Sequence, residues 1–415
     1  IVGDITHSGA WVSSIFGITY LALVMGKVPR LRIDRPGIAL AGAAALVVSG
    51  SVSLLDAAKA VDYETIVLLF GMMVLVGFLS LSGFFSLCTD YVAKHFSNPW
   101  VLLAVIIGLS GSLSAFLVND VVCVALTPLV LQLCQRLKRP PIPYLVGLAT
   151  AAKIGSVATI TGNPQNIIIG SLSPISYLRF SARLSPIALF GLALNFIVVA
   201  IVYRRSLGAS ASELKPLHSN ARVPIHWPLM WKCLVITGIT IALFFLGHSI
   251  AIVALGAATL MMLDRVRPEK VYHSVDWPLL VMFAGLFVVV DSFEKNVVRS
   301  WGLDHWSALQ QSPVVMVSGL SAVLSNLVSN VPAVLLFKPL MEVIPQKEQA
   351  WLALSMSSTL AGNLTLLGSV ANLIVVESAR RAGTELSFFE YLKVGIPLTI
   401  LTLLTGVAWL SLTHY

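Results

Sequence analysis

Two short polar runs interrupt long apolar stretches of the chain: Gly162-Asn163-Pro164-Gln165-Asn166 and Gly368-Ser369-Val370-Ala371-Asn372. Two further polar points, Val118-Asn119-Asp120 and Ser329-Asn330, each stand between two apolar arms. Pro164 removes a backbone donor and disfavours helix at the residue before it, so the first run breaks a helix. The second run lacks the proline but keeps Gly368, the Ser369 hydroxyl and Asn372. Broken helix ends have chemical uses. N-termini offer unpaired amides and positive dipole ends to an anionic or polar solute, and C-termini offer carbonyls to a cation. The side chains that would bind with them are Asn119, Asn163, Gln165, Asn166, Ser329, Asn330, Ser369 and Asn372, with Gly162 and Gly368 exposing backbone. Two ionisable residues lie nearby as candidates for ion coupling. Asp120 can carry a proton or cation, its plainer alternative being an exposed helix N-cap. Lys153 precedes Gly162 by about 13 Å along one helix. Either its stem snorkels to the interface, or it is a positive charge beside the site.

The elements that hold these residues follow from composition. The 415 residues are 57% hydrophobic and 11% charged, whereas a soluble domain is about a quarter charged. This is a polytopic membrane chain. A span needs about 20 apolar residues, and candidates at 11–28, 36–54, 64–82, 144–176, 185–203, 229–247, 249–264, 277–293, 350–376 and 393–412 make about ten. The apolar stretches 100–134 and 313–344 are not assigned by length alone. Helix breaks inside lipid are tolerated only where the freed groups line a protected or watery cavity. The chain begins at Ile1 with no charged leader and cleavage site, so a trimmed start is expected.

Other chemistries find no support. The net charge of +8 reads as basic cytoplasmic loops rather than a nucleic-acid surface. Cys88, Cys123, Cys134 and Cys233 form no CxxC pair, and on one helix Cys123 and Cys134 would stand about 16 Å apart, too far to share a metal ion. The His residues show no HExxH spacing, and there is no phosphate-binding loop. No metal, cofactor or ATP hydrolysis is expected in this chain, so an ion gradient or an ATPase partner must supply energy.

The sequence also repeats itself. "VDYETIVLLFGMMVLV" from Val61 matches "VDWPLLVMFAGLFVVV" from Val275, and "VNDVVCVALTPLV" from Val118 matches "SNVPAVLLFKPLM" from Ser329. "TGNPQNIII" from Thr161 matches "LGSVANLIV" from Leu367, and "LSPIALFGL" from Leu184 matches "GIPLTILTL" from Gly395. All four pairs keep the same order at nearly constant offset, so one ancestral unit occurs twice. The expected organisation is an N-terminal span (1–35), a first repeat (36–203), a cytoplasmic linker (204–228), a connecting span (229–247) and a second repeat (248–415). Arg and Lys clusters at 30–35, 94, 136–139, 204–205, 265–270 and 380–381 should be cytoplasmic. Lys94 and Arg136 can share a side only if 100–134 crosses twice or forms a re-entrant hairpin. The repeats are then inverted, as in many secondary transporters with sites at helix breaks near the midplane. The expected fold class is all-α and polytopic: two inverted repeats, about ten transmembrane helices, and two re-entrant hairpins with interrupted helices.

The runs "VNDVVCVALTPLV" from Val118, "TGNPQNIIIG" from Thr161, "SNLVSNVPAVLLF" from Ser325 and "GNLTLLGSVANLIVVE" from Gly362 resemble the ion transporter superfamily, and most its branch of ArsB-type arsenite permeases and NhaD-type sodium/proton antiporters. The resemblance runs from about Pro36 to Leu412. It implies a scaffold, a moving transport portion and alternating access, with the site at Asn119, Asp120, Gly162 to Asn166, Ser329, Asn330 and Gly368 to Asn372. Dicarboxylate and citrate carriers of the superfamily typically use Ser-Asn-Thr at the hairpin tips. Here the tips read Val-Asn-Asp and Ser-Asn-Val. Arsenite permeases carry an acidic residue about where Lys153 stands, so a lysine could replace a bound cation. The expected function is efflux of arsenite or antimonite in exchange for protons across a bacterial inner membrane. The alternatives are a sodium- or proton-coupled anion transporter and a sodium/proton antiporter. The expected partners are that solute, protons and the bilayer, with no nucleic acid. A homodimer and a cytoplasmic ATPase subunit are left open.

Overall fold

The computed structural model describes residues 2–25, 33–208, 224–264, 266–297 and 312–413, and all regular structure among them is helical. The first half runs α1 (Val2–Met25), α2 (Arg35–Val48), α3 (Leu54–Ala60), α4 (Tyr63–Leu81), α5 (Phe84–His95), α6 (Pro99–Phe116) and α7 (Asn119–Arg136). It continues with α8 (Ile142–Ser156), α9 (Pro164–Leu172), α10 (Tyr177–Val202) and the short α11 (Arg204–Gly208). The second half repeats this order: α12 (Trp227–Phe245), α13 (Ile250–Met262), α14 (Pro268–Tyr272), α15 (Trp277–Asn296), α16 (Pro313–Val328) and α17 (Asn330–Val343). It ends with α18 (Lys347–Ala361), α19 (Val370–Arg381) and α20 (Phe388–Leu412). One 3₁₀ turn precedes α9 (Ile160–Gly162) and another precedes α19 (Leu366–Gly368). Of the expected linker, 209–223 lies outside the described residues, as do Arg30, Arg32 and Arg265 of the expected cytoplasmic clusters.

Matching sequence signals start matching helices. The Asp62 carboxylate accepts from the backbone N–H groups of Glu64 and Thr65 to cap α4, and Asp276 accepts from Leu279 N to cap α15. Ser176 and Ser387 cap the long helices α10 and α20 in the same way.

The halves exchange partners. Helix α2 of the first packs on α15 of the second, and α13 of the second on α4 of the first. Both crossings are made close by glycine. A methyl added to Gly71 would lie 2.7 Å from the Ala254 carbonyl, and one added to Gly285 would lie 2.7 Å from that of Ala39. Such small-residue contacts let membrane helices approach closely. Gly71→Leu and Gly285→Leu are each expected to destabilise the fold by about 1–3 kcal/mol, the usual range for overpacking. Thermal unfolding in detergent tests this, with Gly256→Leu as a control, since a methyl there would meet nothing within 4 Å.

The direction of each helix follows from its end contacts. Helices α6 and α8 run side by side in parallel: the Tyr144 hydroxyl donates to Pro99 O (3.3 Å), and the Thr159 hydroxyl reaches Ala115 O. The tip between α6 and α7 therefore lies level with the break after α8, about 13 Å short of the far end of the nine-residue α9. Helix α7 then returns to the side α6 came from, where Arg136 pairs with Asp90 (3.2 Å) and Arg139 donates to Ser97 O (3.3 Å). Helix α6 is long and apolar enough to cross a membrane, but these contacts make it the first arm of a re-entrant hairpin. This resolves the unassigned stretch 100–134. The counterpart α16–α17 lies along α18, with Asn326 donating to Ala361 O (3.0 Å).

Inversion is equally direct. Helices α10 and α20 occupy equivalent places yet run antiparallel: Trp409 near the end of α20 donates to Arg183 O near the start of α10 (3.1 Å), and Tyr203 after α10 donates to Glu390 O at the start of α20 (3.3 Å). Arg179, at the start of α10, pairs with Glu348 at the start of α18 (2.6 Å). Helix α18 thus starts on the face opposite to α8. Tracing the chain this way gathers Arg35, Lys94, Arg136, Lys138, Arg139, Arg204, Arg205, Arg267, Lys270, Arg380 and Arg381 onto one face. The other carries a smaller set that includes the ion-paired Arg179 and Lys295. By the positive-inside rule the first face is the one expected to be cytoplasmic.

Candidate functional site

Each break is plugged by its own asparagine. The carboxamide of Asn166 donates to Ser156 O (3.0 Å) and Thr159 O (2.9 Å), while that of Asn372 donates to Gly362 O (2.9 Å) and Thr365 O (3.2 Å). These carbonyls lost their helical partners where the helices stop, so the asparagines satisfy groups that lipid could not. Asn163 caps α9, accepting from Asn166 N (2.8 Å), and Ser369 caps α19, accepting from Ala371 N (3.2 Å). Gly162 has no room for a side chain, because a methyl there would strike the Ser156 carbonyl. Gly368 is less confined, since its methyl would lie 2.8 Å from the side-chain Oδ1 of Asn326 and 3.1 Å from Gly362 O.

Across the first break stands α18. Thr359 accepts from Asn163 Nδ2 (3.3 Å) and Gln165 Nε2 (3.2 Å), and Ser355 donates to Asn166 Oδ1 (2.7 Å). Ser355, Ser358 and Thr359 follow i, i+3, i+4 spacing and so share one helix face. They are functional candidates that sequence reading did not single out. Their hydroxyls lie in an apolar, small-residue helix with no local signature, and only the fold assigns these three.

The second hairpin tip meets the same helix. Asn330, with its amide oriented by its surroundings, donates to Ser358 O (3.2 Å) and accepts from Lys153 Nζ (3.0 Å). Lys153 is only 3% exposed, so snorkelling is excluded: the ammonium points into the protein. Just before Asn330, Ser329 holds φ 79° and ψ 157°. A non-glycine residue there stores roughly 1–3 kcal/mol of strain.

Asp120 lies in the first turn of α7 and interacts electrostatically with Lys153. One of its carboxylate oxygens is buried without a hydrogen-bond partner. It is therefore not an exposed cap. Neighbouring Asn119 is fully buried and neither carboxamide atom has a partner. Helix α7 packs against α19, whose Asn372 also keeps an unpartnered Oδ1, as does Asn363 beside that break. The first break, Lys153 and the second tip thus form one hydrogen-bonded network. The first tip and the second break share no hydrogen bond among the described residues.

Inverted repeats whose hairpin tips meet interrupted helices at buried polar groups define a secondary transporter of the ion transporter superfamily. The chain belongs to the citrate transporter family, CitMHS, whose family model matches residues 20–354. It is similar to the silicon efflux transporter LSI3 of Oryza sativa, at 29% identity over 95% of this chain and 96% of that one. The 46 kDa membrane protein of Mycobacterium leprae is 28% identical over 96% of this chain and 98% of its own length. A putative transporter arsB of Dictyostelium discoideum is 26% identical over 91% of this chain and 87% of its own. Among solved structures, the Alcanivorax borkumensis YdaH transporter superposes with a TM-score of 0.63 at 15% identity, covering 98% of this chain and 97% of that one. That likeness concerns the fold alone.

Proposed function

We propose that the protein expels a neutral, hydroxyl-bearing metalloid acid, arsenous or antimonous acid, in exchange for protons across a bacterial cytoplasmic membrane. The observation that carries this reading is that four buried acceptors without partners belong to the first tip and the second break: Asn119 Oδ1, Asp120 Oδ1, Asn363 Oδ1 and Asn372 Oδ1. A buried unpaired acceptor costs about 1–3 kcal/mol, and a solute with several O–H donors offsets that cost. A tricarboxylate instead needs free cations. Among the described residues the buried charged side chains are Lys153 and Glu294, and Lys153 is already engaged by Asn330 and Asp120. A relative named for silicon efflux and another named arsB support a solute of this kind. In the cycle, Asp120 would carry the proton, Asn119, Asn166, Asn330 and Asn372 would hydrogen-bond the solute, and the hairpin tips would open and close it to either face.

A second reading rests on Lys153. If its ammonium turns from Asn330 to a solute, an anion can bind there, driven by sodium or protons. Purified protein in liposomes separates the two. Arsenite flux that follows an imposed pH gradient and ignores sodium is expected. Movement of citrate or a dicarboxylate, with no arsenite flux, would overturn the proposal.

A further inference from the structure

On the cytoplasmic face, where α4 ends, α12 begins and α13 turns into α14, a cavity of about 590 Å³ opens between the two repeats. Its polar lining is His226, Lys232, Asp264, Arg267 and Lys270, over an apolar floor that includes Leu81 and Leu229. We propose that this cavity binds a phosphate group, with the headgroup phosphate of an anionic phospholipid and a free phosphate ester as its two possible sources.

Charge, place and shape agree. Three cations face one carboxylate, and that carboxylate is spoken for: Asp264 pairs with Lys232 (2.9 Å), which also donates to Leu263 O (3.4 Å). This fixes the Lys232 ammonium in the wall, while Arg267 and Lys270 are exposed at the rim. Glu269 lies on the same short helix but does not line the cavity. Arg and Lys together suit a phosphate, which takes charge-assisted hydrogen bonds from both. Trp227 and Trp231, 51% and 60% exposed on the first turns of α12, place the cavity at the headgroup level, where indoles concentrate. Basic pockets between helices on the cytoplasmic side are suited to anionic headgroups, and the apolar floor suits a glycerol backbone and the start of its chains. None of the residues at the breaks or hairpin tips lines the cavity, which has no part in the proposed transport cycle.

The test is thermal stabilisation of the purified full-length protein. Phosphatidylglycerol is compared with phosphatidylcholine in mixed micelles, and glycerol 3-phosphate is titrated separately. Phosphatidylglycerol is expected to raise the unfolding temperature of the wild type, and Arg267→Gln/Lys270→Gln is expected to lose at least half of that shift. The control Arg380→Gln/Arg381→Gln removes the same charge elsewhere on this face and is expected to retain it. A shift with the lipid alone assigns a headgroup site, and one that glycerol 3-phosphate reproduces assigns a soluble ester. Equal shifts in both double variants, or none in the wild type with either probe, would overturn the proposal. Arg267→Lys, which keeps the charge, is expected to bind, so a folding defect in the double variant does not pass for loss of the site.

Discussion

Asp120→Asn is expected to abolish the dependence of solute flux on a pH gradient while leaving downhill exchange in place. Asparagine keeps the shape and the acceptor oxygen of aspartate but carries no titratable proton. The residue sits at a hairpin tip, one oxygen buried and unpartnered, within reach of the Lys153 charge. One pH unit supplies about 1.4 kcal/mol per proton, which is tenfold accumulation for one-to-one exchange. In wild-type liposomes that ratio should appear, and in the variant it should fall to about one. Driven accumulation that persists in the variant would move the proton carrier elsewhere, with buried Glu294 next in line.

Lys153→Met is the second large effect. Methionine fills the space of the lysine stem but removes the ammonium, so Asn330 loses its 3.0 Å partner and Asp120 loses the facing positive charge. A hydrogen bond to a charged group contributes about 1.5–3 kcal/mol, so closure of the second tip should weaken by roughly ten- to a hundredfold. Solute exchange at subsaturating concentration should fall by that factor, with the protein still folded by gel filtration. Wild-type exchange in Lys153→Met would remove the lysine from the cycle.

Much of this architecture is legible in the sequence, because Gly, Asn, Pro and Asp are conspicuous against an apolar background. The repeat pairing and the breaks at 162–166 and 368–372 rest on such residues, and the fold places them accordingly; the basic clusters rest on Arg and Lys, which the fold gathers onto one face. Depth is less legible. The eighteen residues of α6 are long enough to span; the charges of Lys94 and Arg136 left two crossings or a re-entrant hairpin, and the contacts of Arg136 with Asp90 and of Thr159 with Ala115 select the hairpin. The direction of the Lys153 stem was open for the same reason: one helix cannot say whether its neighbours leave a polar partner such as Asn330. Ser355, Ser358 and Thr359 look like packing residues until α18 is laid across the first break. Tyr177, whose hydroxyl meets that of Thr161 (2.8 Å) behind the first break, carries no local signature at all.

Two identical halves related by inversion would make a carrier indifferent to which way it faces. This one is not made of identical halves. The matching asparagine bonds put Thr359 of the second half opposite Lys153 of the first, and Ser329 is held at a positive φ where Val118 has −53°. A difference of about 1.4 kcal/mol skews a two-state population ten to one, and a buried ammonium against a hydroxyl is ample to supply it. An asymmetry of that size would give the molecule a resting preference for one side of the membrane. Such a bias sets where the empty carrier rests and how quickly it resets from each side, while the direction of net transport stays with the gradients across the membrane.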